Sequence, residues 1–259
     1  MTAMTNEVIV LPALADNFIY ALTAPEGLLA VDPSEVEPVQ RLLDEREWPL
    51  LGIVLTHYHG DHTGGVEALR RRYRQAWVAG PRGAAGLRID RMVEEGDVLA
   101  AGPWRLEAID TPGHAMPHMS YVERRRGWLF SGDCLFGAGC GRLASPAAAP
   151  AMWQALEKLF RLPDETRIYF GHAYTLDNLA FAAQVEPSNT AIAKRQRDIA
   201  ARLAAGQSCA PSTLAEEKAT NPFLRVREAE VRAFVQADGK MPDAEVFAAL
   251  RFRKDHARM

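Results

Sequence analysis

Cysteine is scarce: the 259 residues hold three, Cys134, Cys140 and Cys209. So thin and odd-numbered a set does not build a disulfide framework, and it fits a reducing compartment. Long apolar runs are missing as well. None approaches the ~18 residues that span a bilayer, so no membrane partner is expected. The N-terminal MTAMTNEVIVLPAL has no basic segment ahead of its short apolar stretch and does not read as a signal peptide. A cytoplasmic protein is the expectation. Charge of one sign is lacking too, since 30 Lys and Arg against 33 Asp and Glu leave a net charge of −3. Nucleic acid is therefore not an expected partner. The Arg runs at 70–72 and 124–126 are short, and they read as a solvated helix face and a hairpin turn. Internal repeats and low-complexity tracts are absent from the pattern.

What is present begins with short β-rich runs. Residues 8–11, 18–22 and 28–31 predict three strands, the last ending at Asp32-Pro33. Residues 36–46 have helical spacing, with Val36, Val39, Leu42 and Leu43 on one face. The wholly apolar run 51–55 predicts a strand buried on both faces, and a helix carrying Val66, Leu69 and Tyr73 follows Gly64-Gly65. Further strands are predicted at 76–79, 104–109, 119–122, 128–130 and 167–170. From about residue 175 the composition turns helical and rich in Ala and Arg. Helices are predicted at 176–185, 190–205, 228–236 and 243–254, punctuated by Pro187, Gly206, Pro211, Pro222 and Pro242. A β-rich catalytic domain over 1–174 and a helical domain over 175–259 are expected.

The chemistry concentrates in Thr56-His57-Tyr58-His59-Gly60-Asp61-His62. This segment leaves a buried strand and precedes a helix, so it forms a loop at a strand's C-terminal end, where α/β proteins place their sites. Residues two apart on extended chain point the same way, so His57 and His59 can grip one ion as a pair. Asp61 and His62 lie past the turn at Gly60 and can face a second ion. Later strands end in the same manner. His114 follows Thr111-Pro112-Gly113, Asp133 follows Ser131-Gly132, and His172 follows Phe170-Gly171. In each a glycine directly precedes the candidate ligand, which permits a tight turn. One such histidine alone reads as a turn residue; three in order behind a four-ligand cluster read as a metal centre.

These motifs resemble the metallo-β-lactamase superfamily, and the resemblance narrows to the hydroxyacylglutathione hydrolase (glyoxalase II) family. Asp16-Asn17-Phe18-Ile19-Tyr20 and Ala30-Val31-Asp32-Pro33 are similar to its first two strand motifs. The 136–142 segment FGAGCGR matches the stretch after its bridging aspartate, and the 171–179 segment GHAYTLDNL its last ligand and hinge. PSTLAEE at 211–217, NPFLR at 221–225 and RFRKD at 251–255 resemble its helical signature and C-terminal element. The resemblance implies an α/β fold: an αββα sandwich of the metallo-β-lactamase type, with a C-terminal helical domain that binds glutathione.

The same resemblance implies roles. His57, His59 and His114 bind one metal; Asp61, His62 and His172 bind the other; Asp133 bridges the two. Asp61 and Asp133 are the candidate catalytic carboxylates. Arg142, Tyr174, Asn178, Arg251 and Lys254 hold glutathione. The cofactors are two divalent ions, zinc being expected and iron or manganese compatible with His and Asp donors. The reaction is hydrolysis of an S-(2-hydroxyacyl)glutathione such as S-D-lactoylglutathione, a step in methylglyoxal detoxification, by a monomer. The chain departs from the pattern in two places. Ala144-Ser145-Pro146-Ala147 stands where the family has an aromatic residue and Glu-Gly-Thr, so one usual glutathione contact is missing. Ala173 replaces a common Glu. The rival reading is a mononuclear-iron persulfide dioxygenase of the same superfamily; the long helical end with its Arg-x-x-Lys-Asp element favours hydrolysis. Gly137-Ala138-Gly139-Cys140-Gly141 lacks the spacing of a nucleotide loop, and neither Cys134 nor Cys140 has the surroundings of a nucleophile.

Overall fold

Strands Asn17–Ala24 (β2) and Gly27–Val31 (β3) are buried along their whole length, which a strand achieves only when both faces of its sheet are covered. In the computed structural model, which describes residues 7–83 and 86–257, they lie inside a six-stranded sheet. Val8–Ala13 (β1) pairs antiparallel with β2, and β2 with β3. The order continues in parallel through Leu50–Val54 (β4), Trp77–Pro81 (β5) and Arg91–Val93 (β6). Helix Glu37–Arg46 (α1), the single turn Gly60–Thr63 (α2) and helix Val66–Arg72 (α3) fill the parallel crossovers. Val39, Leu42 and Leu43 of α1 and Val66 and Leu69 of α3 form one apolar cluster with Ile19, Ala21, Leu28, Ala30 and Ile53. Burial of this kind contributes about 25 cal/mol per Å² of apolar surface removed from water.

The other face of that sheet meets an antiparallel meander of Val98–Ala101 (β7), Trp104–Asp110 (β8), Met119–Glu123 (β9) and Trp128–Gly132 (β10). The Tyr20 ring lies 5.7 Å from that of Phe130. Tyr121, fully buried, donates its hydroxyl to Leu55 O at 2.8 Å and so ties the meander to the end of β4. A buried tyrosine needs such a partner. These elements, through Asp110 together with Pro117–Gly132, make one compact unit.

The second unit is Thr111–Met116 together with the chain from Asp133 onward. It opens with a small hairpin, Leu135–Phe136 (β11) and Gly139–Cys140 (β12). Helix Ala149–Phe160 (α4) follows, then strand Arg167–Phe170 (β13), paired antiparallel with Ser212–Thr213 (β14). Helices Thr175–Val185 (α5), Thr190–Ala204 (α6), Leu214–Thr220 (α7), Ala229–Phe234 (α8) and Asp243–Asp255 (α9) complete it. Its centre is aromatic: Phe181, Phe223 and Phe247 are buried, with ring centroids 6.3 Å and 5.9 Å apart in sequence, and Trp153 of α4 lies 6.0 Å from Phe247. Caps set the helix starts. Asn189 accepts from Ala191 N–H ahead of α6, and Thr213 and Glu216 form a capping box on α7.

Among the described residues no helix is long and apolar enough to cross a membrane. The expected strands and the four C-terminal helices lie where their periodicity placed them. The elements that escaped the pattern are the single turn α2, strands β6 and β7, the hairpin, α4, β14 and α7. Strand β7 alternates exposed and buried residues over four positions, too short to register as a period. Helix α4 has helical spacing in Met152, Trp153, Leu156 and Leu159, but Pro146 and Pro150 mask its start. Proline is tolerated in a first turn because no N–H is needed there.

Candidate metal centre

The first unit presents four of the candidate ligands. Strand β4 runs out into Thr56, whose N–H donates to Asp32 Oδ1 at 2.8 Å and whose hydroxyl donates to Asp32 Oδ2 at 2.7 Å. A carboxylate only accepts, so the single Thr56 hydrogen is spent on Asp32 and Thr56 Oγ1 must accept from its next partner. That partner is His57 Nδ1, at 3.0 Å. The proton of His57 is thereby placed on Nδ1, and Nε2 carries a lone pair. It faces His59 Nδ1 at 3.1 Å.

Past His59 the chain makes the α2 turn, with His62 N–H on His59 O at 3.0 Å. This brings the His57 and His62 rings within 4.2 Å. His62 Nδ1 lies 3.0 Å from the same Asp32 Oδ2, which turns Nε2 of His62 toward Asp61 Oδ2, 3.9 Å away. Asn17 Nδ2 donates to the Asp61 carbonyl at 2.8 Å and reaches its carboxylate at 3.4 Å. Asp32 thus orients two histidines and Asn17 holds the aspartate between them. Neither stood among the expected site residues, although both lie in motifs that the sequence singles out. Asp32 is buried and adopts φ 49°, a left-handed conformation that Asp tolerates better than most residues. His118 is buried and stacks on His57 with centroids 5.0 Å apart. Gly132 (φ 51°) leaves room for it, because a Cβ there would strike Thr56 Oγ1 and His118 Nε2.

The second unit presents the other three. Gly113, at φ 141° and packed on Met152, turns the chain into His114. His114 Nδ1 lies 2.9 Å from the carbonyl oxygen of Arg142. A carbonyl cannot donate, so His114 is protonated at Nδ1, and its Nε2 stands 3.3 Å from Asp133 Oδ2. His172 Nε2 reaches the same oxygen, also at 3.3 Å. A neutral His114 would then set a nitrogen lone pair against a carboxylate lone pair in a buried place. That contact is repulsive unless a cation lies between the two atoms. The donor set therefore fits a divalent ion. The ring of His172 is held flat on Tyr174 (4.8 Å, 5°), and Phe136 abuts both edge-on.

The remaining candidates gather around the hairpin. Asn178 is buried, donates Nδ2 to Gly137 O at 2.9 Å and accepts from Lys254 Nζ on Oδ1. Arg251, three residues from Lys254 on α9, is buried as well. It donates to Cys140 O at 3.0 Å and to Asp255 at 2.8 Å, and lies 5.0 Å over the Phe223 ring. Arg142, 83% exposed, approaches Asp255 at 3.8 Å. Burial, with help from Arg251, pulls the Lys254 ammonium down to about 8, against the pull of Asp255 and Asp177. The cluster is cationic, part-buried and knit together. Tyr174 lies between His172 and Phe136 of the hairpin.

Burial pushes the Cys134 and Cys140 thiols up, away from the thiolate form a nucleophile needs. Cys134→Ala is accordingly expected to keep kcat within about twofold of the parent. Complete loss of turnover with metal content intact would reinstate a thiol mechanism.

The metallo-β-lactamase superfamily pattern matches residues 16–172, and the pattern of the hydroxyacylglutathione hydrolase C-terminus matches residues 173–257. A hydroxyacylglutathione hydrolase from Rhodopseudomonas palustris (strain BisB5) is 40% identical over 258 residues, covering 98% of this chain and 100% of the relative. Among solved structures, ETHE1 from Myxococcus xanthus superposes with a TM-score of 0.66 at 24% identity, over 96% of this chain and 97% of that one. TTHA1623 in a di-iron-bound form gives 0.60 at 25% identity, over 84% and 100%.

Proposed function

The chain belongs to the hydroxyacylglutathione hydrolase family of the metallo-β-lactamase superfamily, and from that premise we propose that it hydrolyses S-(2-hydroxyacyl)glutathione, S-D-lactoylglutathione included, to glutathione and a 2-hydroxy acid. Its fold is the metallo-β-lactamase sandwich with a C-terminal helical region. It is a thiolester hydrolase that binds metal ions through His and Asp side chains. The observation that carries the reading is the end-to-end match: relatives of this name align over nearly the whole chain, helical end included.

The finer assignments are ours. His57, His59 and His114 would hold one ion, Asp61, His62 and His172 a second, and Asp133 would bridge them. The relative described as di-iron-bound supports two ions, and the donor set suits zinc, iron or manganese. Divalent ions held there would supply Lewis acidity for the thioester carbonyl and make a bound water nucleophilic near neutral pH. The chain's own part is to hold the imidazoles in one tautomer through Asp32, Thr56 and the Arg142 carbonyl, and to keep Asp61 in place through Asn17. Arg142, Tyr174, Asn178, Arg251 and Lys254 take the glutathione moiety, whose two carboxylates match a cationic cluster. Glutathione leaves as a thiolate, so little general-acid help is needed. A catalytic domain over 1–174 with a glutathione-binding domain over 175–259 is supported by the two matched spans. A cytoplasmic monomer completes the proposal; three buried cysteines suit a reducing compartment.

Hydrolysis of S-D-lactoylglutathione and oxygen uptake with glutathione persulfide, measured side by side, test the activity. The first is expected and the second is not; the reverse would move the chain to the persulfide dioxygenases. Elemental analysis of fully active protein is expected to find two metal equivalents per chain, since seven ligands exceed the roughly four that one site needs. A single equivalent at full activity rules out the binuclear site.

A further inference from the structure

Hairpin β11–β12 is the frame on which the proposed glutathione residues hang. Asn178 Nδ2 donates to Gly137 O at 2.9 Å, Arg251 donates to Cys140 O at 3.0 Å, and Lys254 attaches through Asn178 Oδ1. The fit is close, because a Cβ on Gly139 would strike Asn178 and one on Gly137 would strike Thr175. At the turn of this hairpin Ala138 sits at φ 55°, a left-handed conformation that disfavours a residue with a Cβ. A turn of that kind persists where its surroundings hold it.

Helix α7 does the holding. Glu217 Oε2 accepts the Ala138 N–H at 2.7 Å and Asn221 Nδ2 at 3.1 Å. Asn221 Nδ2 also donates to Gly139 O at 3.0 Å, and its Oδ1 accepts from Phe223 N–H at 3.1 Å. Both residues are fully buried. The charge of Glu217 is met by Arg195 at 2.5 Å, itself 5% exposed and donating to Thr220 Oγ1 at 2.6 Å. Buried ion pairs seldom stabilise more than apolar side chains of the same volume, because both charges lose their hydration. Joining α6 to α7 therefore does not by itself call for a carboxylate. Accepting a backbone N–H from a strained turn calls only for a side-chain oxygen at this place, and Glu217 supplies it.

We propose that Glu217 and Asn221 are positioning residues for the glutathione site: by clamping the Gly137–Gly139 turn they set the spacing of Asn178, Arg251 and Lys254. This rests on the glutathione reading of that cluster. In this arrangement Arg195 neutralises Glu217.

The test compares S-D-lactoylglutathione with a small uncharged thioester, S-ethyl thioacetate, in metal-loaded full-length protein. Asn221→Ala and Glu217→Ala are each expected to raise KM for the glutathione substrate about tenfold. Metal content and kcat/KM for S-ethyl thioacetate should stay within about twofold. The double variant Arg195→Met with Glu217→Gln removes the charges and keeps an amide oxygen for Ala138 N–H, so it is expected to retain the parental KM even if it melts at a different temperature. A tenfold higher KM in that double variant would show that the ion pair, not the turn contact, matters, and it overturns the proposal. So does an unchanged KM in the two alanine variants. Should both fail to fold, the double variant alone decides. Parent protein inactive on S-D-lactoylglutathione overturns the functional reading and this inference with it; an active parent with unmoved variants overturns the inference alone.

Discussion

Replacing Asp133 by Ala is expected to lower kcat for thioester hydrolysis by on the order of 10³-fold or more and to lower the metal content of purified protein. One oxygen of Asp133 lies 3.3 Å from both His114 and His172, in a place that is 4% exposed. Without that carboxylate, two imidazoles converge on nothing that offsets the charge of an ion, and the bridge proposed between two ions would be lost. His118→Ala is the proper comparison, because it too removes a buried polar side chain close to the ligands. His118 stacks on His57, so its loss loosens one ring and is expected to cost about 10- to 100-fold, the range for groups behind a metal ligand. Equal losses in the two variants, with metal retained in both, would remove Asp133 from the ligand set.

The Asp133 segment also shows where sequence reasoning reaches and where it stops. His57, His59, Asp61 and His62 are legible because four donors crowd into six residues and the loop's local geometry decides their direction. Asp133, His114 and His172 are legible as a repeated pattern, a strand ending in glycine and a donor. The supports are harder to see. Asp32 acts on His62 across 30 positions, and Asn17 on Asp61 across 44. Such contacts leave no period in the chain. Nothing in the sequence says that Thr56 relays Asp32 to His57, since a threonine at the end of a strand is ordinary.

The helical end behaves in the same way. Its helices are plain from apolar spacing and punctuation, yet the reason for PSTLAEE and NPFLR is not. Glu217 meets Ala138 across 79 positions and Asn221 meets Gly139 across 82. Hairpin β11–β12, with two residues per strand, is below the length at which alternation can be recognised. Of the two α9 cations, Arg251 lies on Cys140 O and Asp255, whereas Lys254 reaches the hairpin only through Asn178 Oδ1.

That difference shapes the second large effect expected. Arg251→Ala with Lys254→Ala should raise KM for S-D-lactoylglutathione on the order of 100-fold, because each charge-assisted contact contributes about 1.5–3 kcal/mol and every 1.4 kcal/mol is tenfold. The uncharged thioester should be turned over nearly as before. Single variants separate the causes. Lys254→Ala removes a charge, whereas Arg251→Ala also releases the hairpin carbonyl at Cys140. Parental KM in the double variant would take the helical end out of the glutathione site. The acid–base behaviour of Lys254 gives an independent check. Its ammonium is pulled down to about 8 by burial and by Arg251. As pH rises through about 8 the lysine loses the charge that attracts a carboxylate, so kcat/KM for the glutathione substrate should fall there. Lys254→Arg, charged throughout, should flatten that limb. Unfolding cannot imitate the effect, because the lysine acts on stability in the opposite sense. The unfolded chain holds this proton up to about 10.4, the folded chain only to about 8. Between those values the unfolded state binds more protons, so the contribution of Lys254 to stability rises with pH while its contribution to binding disappears. A falling kcat/KM in protein whose melting temperature holds or rises is the signature of Lys254 in the glutathione site. A limb that survives Lys254→Arg unchanged assigns it to another group.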